Sequence, residues 1–192
     1  MSVSNGNKVI AKATLDAFGG KPIVTKYWDD KKESSIDMLS CVDRPYQGIT
    51  AYSTIGLSEY SIGFISEEIP LRIEIVGACA SRFDYFANVL SSCAFNVINT
   101  KFTCNPGTIF PKVIGLYKPS SLMQHIFFMS PFLWDDKLKT LQLTERKVAW
   151  LLAVPISDKE FTYAKENETD ALQNLFEEHQ IDIFDLDRRS VI

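Results

Sequence analysis

Few residues in this chain could act as a catalytic base near neutral pH. The sequence contains two histidines, His125 and His179, and imidazole is the side chain whose ordinary pKa best suits general acid–base catalysis at that pH. His179 lies in the last turn of a predicted helix, where a positive charge interacts favourably with the helix dipole. His125 precedes an apolar predicted strand. We therefore predict structural roles for both histidines and no catalytic residues.

One segment begins like the active-site turn of a hydrolase. Gly56-Leu57-Ser58-Glu59-Tyr60 matches the first four positions of Gly-x-Ser-x-Gly, a motif that exposes a nucleophilic serine on a sharp turn. Tyr60 replaces the final glycine, whose lack of a side chain permits that turn. The sequence also lacks both common glycine-rich phosphate-binding motifs. We predict neither hydrolase chemistry nor a nucleotide cofactor.

The cysteines and paired carboxylates do not have the spacing of a metal site. Four cysteines are 38, 14 and 11 residues apart along the chain, whereas zinc and redox motifs usually place thiols two to four residues apart. We expect reduced, mostly buried thiols, and we expect the adjacent carboxylates to be solvated on turns. No metal is predicted. The cysteines are Cys41, Cys79, Cys93 and Cys104, and the carboxylate pairs are Asp29-Asp30, Glu67-Glu68 and Asp135-Asp136.

Acidic residues are concentrated near the end of the chain. The thirty residues from Asp158 to Asp187 contain ten acidic residues and two lysines, a net charge of −8, whereas the rest of the chain carries +4. Nucleic acid binding needs clustered Lys and Arg, so we predict no direct nucleic acid partner. An acidic face can attract a basic protein and can present carboxylates where a nuclease binds phosphates. Exposed acidic helices also commonly serve only solubility, and both interpretations stay open.

If the acidic region binds a partner, its contact residues should lie on the polar side of the predicted helices. Spacing in the last helix places Leu172, Leu175, Phe176 and His179 on one apolar face. Acidic side chains away from that face should be exposed. The predicted partner-binding residues are Glu166, Glu168, Asp170, Glu177 and Glu178.

Hydrophobic periodicity predicts a mixture of strands and helices without a regular βαβ repeat, which favours the α+β class. A first helix should start after Ser4 or Asn5 and end near Phe18, before Gly19-Gly20. A second helix is predicted over 83–98, and two short helices should follow the last strand. The predicted strands are 23–28, 36–42, 49–57, 71–75, 126–134 and 148–156.

Composition is that of a globular protein. Of 192 residues, 46% are hydrophobic, 12% aromatic and 23% charged, and a chain of this length can bury a sizeable core as one domain over residues 1–192. The N-terminal residues lack the apolar stretch of a signal peptide. The longest apolar run, Val148 to Ile156, has nine residues, about half of what a membrane-spanning helix needs. We expect a cytoplasmic protein with no membrane partner.

Several segments, taken in order, give the chain a family resemblance. The strand ending Val154-Pro155-Ile156 leads into Ser157-x-x-Glu160, which has the spacing of a helix capping box, and the chain closes on Asp187-Arg188-Arg189-Ser190-Val191. With the other matching segments, this order resembles the SUFU-like (suppressor of fused) domain from about Ile23 onward. Those other segments are Thr54–Ser58, Arg72–Val76, the helix from Phe83, Asn105-Pro106-Gly107 and Met123–Ile126 leading to Pro131.

The resemblance implies an α+β fold with a mixed, mostly antiparallel sheet, and it implies a binding function. The chain is most similar to the short bacterial members that act as immunity proteins or antitoxins. In that branch the domain is implied to bind the C-terminal toxic domain of an LXG polymorphic toxin and to neutralise it stoichiometrically. That toxic domain is often a nuclease. Animal members hold a transcription factor between two domains, and this chain has no room for a second. A small enzyme with an unrecognised site and an intracellular scaffold or regulatory binding protein remain alternatives.

Overall fold

A computed structural model describes residues 3–192, apart from the side chains of Asp135 and Asp136. Its nine strands are β1 (Ile23–Trp28), β2 (Ser35–Val42), β3 (Ile49–Ile55), β4 (Phe64–Ser66), β5 (Ile69–Ala80), β6 (Ile109–Phe110), β7 (Met123–Met129), β8 (Leu141–Gln142) and β9 (Lys147–Ser157). Its four α-helices are α1 (Asn5–Phe18), α2 (Phe86–Thr100), α3 (Asp158–Asn167) and α4 (Thr169–His179).

All nine strands belong to one sheet with the order β1-β2-β3-β5-β9-β7-β6, while β4 pairs with β5 and β8 pairs with β9. The central neighbours β5 and β9 are parallel, and the other strand pairs are antiparallel. The predicted α+β class and the mixed, mostly antiparallel sheet are confirmed. The first two strands pair antiparallel, with Ile23 opposite Ser40 and Trp28 opposite Ser35.

The sheet has a hydrophobic core on each face. One core contains the buried side of α2, including Phe86 and Leu90. The other contains residues of the remaining helices, among them Ile10 of α1, Ala164 of α3 and Leu172 of α4. The central strands are therefore covered on both sides, which is why β9 reads as a continuous apolar run rather than an alternating one.

Helix α1 forms where the sequence predicted it. The Ser4 hydroxyl accepts a hydrogen bond from the Asn7 N–H at 3.1 Å, so Ser4 rather than Asn5 is the N-cap. Gly19, with φ of 71°, ends the helix and donates its N–H to the Leu15 carbonyl. The polar cap and the glycine thus fix both ends of the helix locally.

Three predicted boundaries differ from the structure because turns interrupt the apolar runs. Strand β3 ends at Ile55, since Gly56 takes a φ of 103° and starts a short 3-10 helix over 57–59. Strand β7 ends at Met129, and the residues after Pro131 form a second 3-10 helix over 132–137. Helix α2 begins at Phe86 rather than 83, because residues 81–85 form turns first.

Strand β5 is longer and more buried than its sequence pattern indicates. The alternation of Leu71, Ile73 and Ile75 predicts one apolar face, which would leave Glu74 on the opposite side. The strand instead extends over twelve residues, and Glu74 is completely buried. A carboxylate in this position requires hydrogen-bond partners, and the segment after β3 supplies them.

The central strand β9 provides a direct test of the core. Leu152 is fully buried and Trp150 is 3% exposed, as the sequence predicts. We expect Leu152→Ala to lower the free energy of unfolding by about 2 to 5 kcal/mol, because it removes buried methyl groups and leaves a cavity. The melting temperature should then fall by about 4 to 20 °C. Calorimetry measures this, with Leu116→Ala as the control because Leu116 is 72% exposed. Equal melting temperatures for the two variants would contradict the packing.

Candidate partner-binding surface

The junction between β9 and α3 contains the capping box that the sequence predicted. The Ser157 hydroxyl accepts the Glu160 N–H at 3.2 Å, and the Glu160 carboxylate accepts the Ser157 N–H at 2.8 Å. Two backbone donors of the first turn are thereby satisfied. Glu160 is completely buried, so its charge needs a partner.

Arg188 from the C-terminal segment supplies that partner. Its two terminal nitrogens donate to the two Glu160 oxygens at 2.6 and 2.9 Å, and one of them also donates to the Pro155 carbonyl at 3.1 Å. The Val191 N–H donates to Glu160 as well. This arrangement, here termed the C-terminal clasp and formed by Glu160, Arg188 and Ser157, fixes the last residues against the start of α3.

The five predicted partner-binding residues are all exposed. Asp170 and Glu177 are seven residues apart on α4, so they lie on the same side of the helix about two turns apart. Glu166 is near the end of α3. Glu168 differs from the prediction, because it lies between the helices with a φ of 68° rather than on a helical face. His179, predicted on the apolar face, is also exposed.

The charge difference between residues 158–187 and the rest of the chain is smaller at the surface than the residue count indicates. Three of the ten acidic residues between 158 and 187 form ion pairs with basic side chains: Asp158 pairs with Lys112, Glu160 with Arg188, and Asp185 with Arg82. Within the described part of the chain, the five predicted residues form no ion pair. Their charges therefore face solvent and could act on a partner, as could those of Asp182 and Asp187, which are also exposed.

Two of the five predicted residues border depressions in the surface. Glu166 lines a shallow one of about 370 Å³ between α3 and the C-terminal residue Ile192. Glu177 lines a second, of about 550 Å³, between α4 and the turn after β7. This second depression, here termed the α4 groove, is lined mainly by apolar side chains: Met129, Phe132, Leu133, Phe176, Ile181, Ile183 and Phe184.

His125 is buried and has a contact at each ring nitrogen. Its side chain is 1% exposed and its ring stacks on Phe161 with centroids 4.4 Å apart. Nδ1 accepts the Lys112 N–H at 3.0 Å, and Nε2 lies 2.8 Å from an Asp158 oxygen. Burial lowers the pKa of His125, although the hydrogen bond to Asp158 acts in the opposite direction. Both ring nitrogens are occupied, so neither is available to take a proton from a substrate.

The hydrolase-like segment proves to be a cradle for a buried carboxylate. Glu74 accepts hydrogen bonds from the N–H groups of Gly56, Leu57 and Ser58 at 3.0 to 3.2 Å and from the Thr54 hydroxyl at 2.6 Å. Burial raises the pKa of Glu74 to about 7, and hydrogen bonds from Thr54, Ser58 and Gly56 oppose that shift. Because Glu74 and Ser58 are fully buried, this pairing joins β3 to β5 and offers no surface to a substrate.

The cysteines are free and buried, as expected from their spacing. Burial raises the pKa of Cys79 and of Cys104 to about 12. Among the described side chains, which exclude those of Asp135 and Asp136, no three His, Cys, Asp or Glu residues are grouped as metal ligands. The Asp135-Asp136 pair lies outside those described side chains. No helix within residues 3–192 has the length and hydropathy needed to span a bilayer.

Sequence patterns did not indicate the α4 groove. They placed Phe132 and Leu133 in a continuous strand, whereas both residues lie in the 3-10 helix after Pro131. The interruption by Pro131 was the available signal, because proline in a strand indicates an edge or an end. The pairing of Glu160 with Arg188 and the partners of Glu74 were also missed, since Arg188 lies 28 residues from Glu160 and the partners of Glu74 lie 16 to 20 residues from it.

The C-terminal clasp predicts a large effect of one substitution. Arg188→Ala should leave Glu160 buried without a cation, which typically costs about 3 to 5 kcal/mol. The melting temperature should fall by about 6 to 20 °C. Arg189→Ala is the matched control because Arg189 is exposed and should change the melting temperature little. If both substitutions had the same small effect, the clasp would not stabilise the fold.

Solved structures with the same fold include both bacterial and animal proteins. A suppressor of fused homologue from Neisseria gonorrhoeae matches with a TM-score of 0.73 and 14% sequence identity, over 98% of this chain and 97% of the other. A chain of the Sufu–Fu complex matches with a TM-score of 0.68 and 15% identity, over 97% and 92% of the two chains. Drosophila Suppressor of Fused gives a TM-score of 0.68 and 16% identity, over 97% of this chain and 51% of the fly protein.

Sequence comparison gives a more specific relationship. Immunity protein YqcF of Bacillus subtilis (strain 168) is 55% identical over 192 residues, covering the full length of both chains. The family model for suppressor of fused protein (SUFU) matches residues 32–189. That match includes Glu74 with its hydrogen-bond donors at residues 54–58, the capping box between β9 and α3, and Arg188 of the C-terminal clasp. The chain therefore belongs to the suppressor of fused family.

Proposed function

We propose that this chain is an immunity protein that binds a cognate toxin and neutralises it by occupying its active surface. The partner would be the C-terminal toxic domain of an LXG polymorphic toxin, and a basic nuclease domain fits the charge of the binding face best. Binding would be stoichiometric and would take place in the cytoplasm of the producing cell. No cofactor or metal is required for this action.

The observation that carries the proposal is the full-length identity of 55% to immunity protein YqcF. Identity at this level along the whole chain supports a shared mode of action more strongly than a common fold does. The solved structures are 14 to 16% identical and support the fold alone.

The surface of the molecule is consistent with inhibition by binding. Exposed carboxylates on α3, α4 and their junction could occupy the part of a nuclease that binds phosphates. The alternative of a small enzyme needs a base that a substrate can reach. His125 and Glu74 are buried, and both are enclosed by hydrogen-bond partners.

The proposal predicts inhibition at a one-to-one ratio. Increasing amounts of this protein should be added to a fixed amount of the toxin domain encoded beside its gene, with residual toxicity or nuclease activity as the readout. Because inhibition occurs by occupancy, activity should fall linearly and reach zero near one equivalent. Full protection by a small fraction of an equivalent would mean that the protein modifies or degrades the toxin, and the binding proposal would fail.

The exposed carboxylates predict a kinetic effect. Reversing Asp170, Glu177 and Glu178 to Lys should slow association with the toxin domain several-fold and flatten its salt dependence, because exposed charges act mainly on the association rate. Screening over about 8 Å at physiological salt limits the effect at higher ionic strength. Stopped-flow association at low and high salt measures both quantities.

A matched control separates local from overall charge. Reversing Asp16, Asp30 and Glu33 changes the net charge by the same amount, and these residues are exposed on α1 and on the β1–β2 turn. The control should associate more nearly at the wild-type rate. Equal slowing in both variants would assign the effect to net charge, and wild-type rates in both would move the interface away from α4.

A further inference from the structure

The α4 groove combines an apolar lining with an exposed aromatic side chain. Phe132 is 52% exposed at its edge, while Leu133, Phe176, Ile181 and Phe184 line the interior. Its volume of about 550 Å³ falls within the range of pockets that hold a bound group. The groove is thus large enough for one or two apolar side chains from a partner.

Backbone hydrogen bonds hold one wall of the groove in place. At the end of α4, Gln180 takes a left-handed conformation with φ of 46°. Its N–H donates to the Glu177 carbonyl, and the Ile181 N–H donates to the Phe176 carbonyl, which is the Schellman arrangement. This turn brings Ile181 back towards Phe176. Because the wall is formed by these bonds, a ligand would find it already shaped.

The charge around the groove indicates the chemistry of its occupant. Glu177 is the charged residue among its described lining side chains, and Glu178 and Asp182 are exposed close by in sequence. A neutral apolar group would match the apolar lining, and basic residues beside that group would match the acidic residues around the groove. A larger depression of about 730 Å³ beside α2 differs, because Asp30, Lys31 and Lys112 give it mixed charge.

We propose that the α4 groove receives an apolar anchor side chain of the toxin domain, carried on a segment whose flanking residues are Lys or Arg. The inference rests on the proposed function and adds the position and chemistry of its central contact. Interfaces commonly depend on a few large side chains that fill pockets within a polar rim. Here the α4 groove supplies the pocket, and Glu177 connects it to the acidic residues of the same helix.

The two parts of this interface should act on different rate constants. Exposed carboxylates steer the encounter and so affect association. Apolar contacts form only after docking, and changes to them appear mainly in dissociation. A groove substitution and a reversal of Asp170 and Glu178, which do not line the groove, can therefore be distinguished in one kinetic experiment.

The test uses Phe132→Ala and the purified toxin domain encoded beside the gene. We expect Phe132→Ala to dissociate at least tenfold faster than wild type, with an association rate and salt dependence close to wild type. Phe102→Ala is the matched control because Phe102 is 49% exposed and lies outside the groove. It should dissociate at the wild-type rate. If the wild-type protein binds and Phe132→Ala dissociates at the same rate, the proposed anchor contact in the α4 groove is wrong. The proposed function would stay intact.

A second variant tests the same contact without removing the aromatic side chain, in case Phe132→Ala impairs folding. Phe132→Trp keeps an aromatic side chain at the groove and adds a fluorophore to the three tryptophans of the chain. Its emission should shift to shorter wavelength on toxin binding, relative to wild type, because the ring is removed from water. No shift would contradict the proposal. A wild-type chain that fails to bind the toxin domain would instead refute the proposed function.

Sedimentation of the free protein tests whether a second copy of this chain, rather than the toxin domain, occupies the α4 groove. A dimer that Phe132→Ala dissociates would place a second copy of this chain in the groove, and the anchor would then be wrong. A monomer at the concentrations used for binding is the expected result.

Discussion

The buried ion pair between Glu160 and Arg188 is the interaction on which the end of the molecule depends. Desolvating two charges is costly, and a buried pair is maintained only where further hydrogen bonds satisfy both groups. Glu160 meets this condition because it also accepts the N–H groups of Ser157 and Val191, and Arg188 also donates to the Pro155 carbonyl. One pair thus joins the end of β9, the first turn of α3 and the C-terminal segment.

The C-terminal segment extends this connection around the sheet. The Phe184 carbonyl accepts the Ala80 N–H at the end of β5, and the Leu186 carbonyl accepts the Met123 N–H at the start of β7. Ile183 belongs to the hydrophobic core on one face of the sheet and Leu186 to the core on the other. The segment therefore crosses from one core to the other. The clasp holds the end of that path, and the α4 groove lies along its first part.

The buried acidic groups and the exposed ones have separate physical roles. Glu74 and Glu160 are completely buried, and each holds together chain segments that are far apart in sequence. Asp170, Glu177 and Glu178 are exposed and form no ion pair with the side chains that the structure describes, so their charge is available to a partner. The same residue type therefore stabilises the fold in one place and could steer binding in another, and burial decides between the two.

The sequence by itself determined those features that depend on local chemistry. Ser157 and Glu160 predicted a capping box because both partners lie within one helical turn, and the apolar run of β9 predicted a buried strand. The order of such motifs predicted the family. The exposure of Glu166 and Glu177 also followed from helical spacing, although the contact role of the five residues stays a prediction.

Only the tertiary structure decided which distant groups meet. Arg188 reaches Glu160 across 28 residues, and Glu74 reaches the N–H groups after β3 across 16 to 18. No local pattern identifies such partners, because several basic residues and several turns could have filled each position. The α4 groove arises in the same way, from a turn after β7, the end of α4 and the C-terminal segment. Its shape exists because the fold brings those three pieces together.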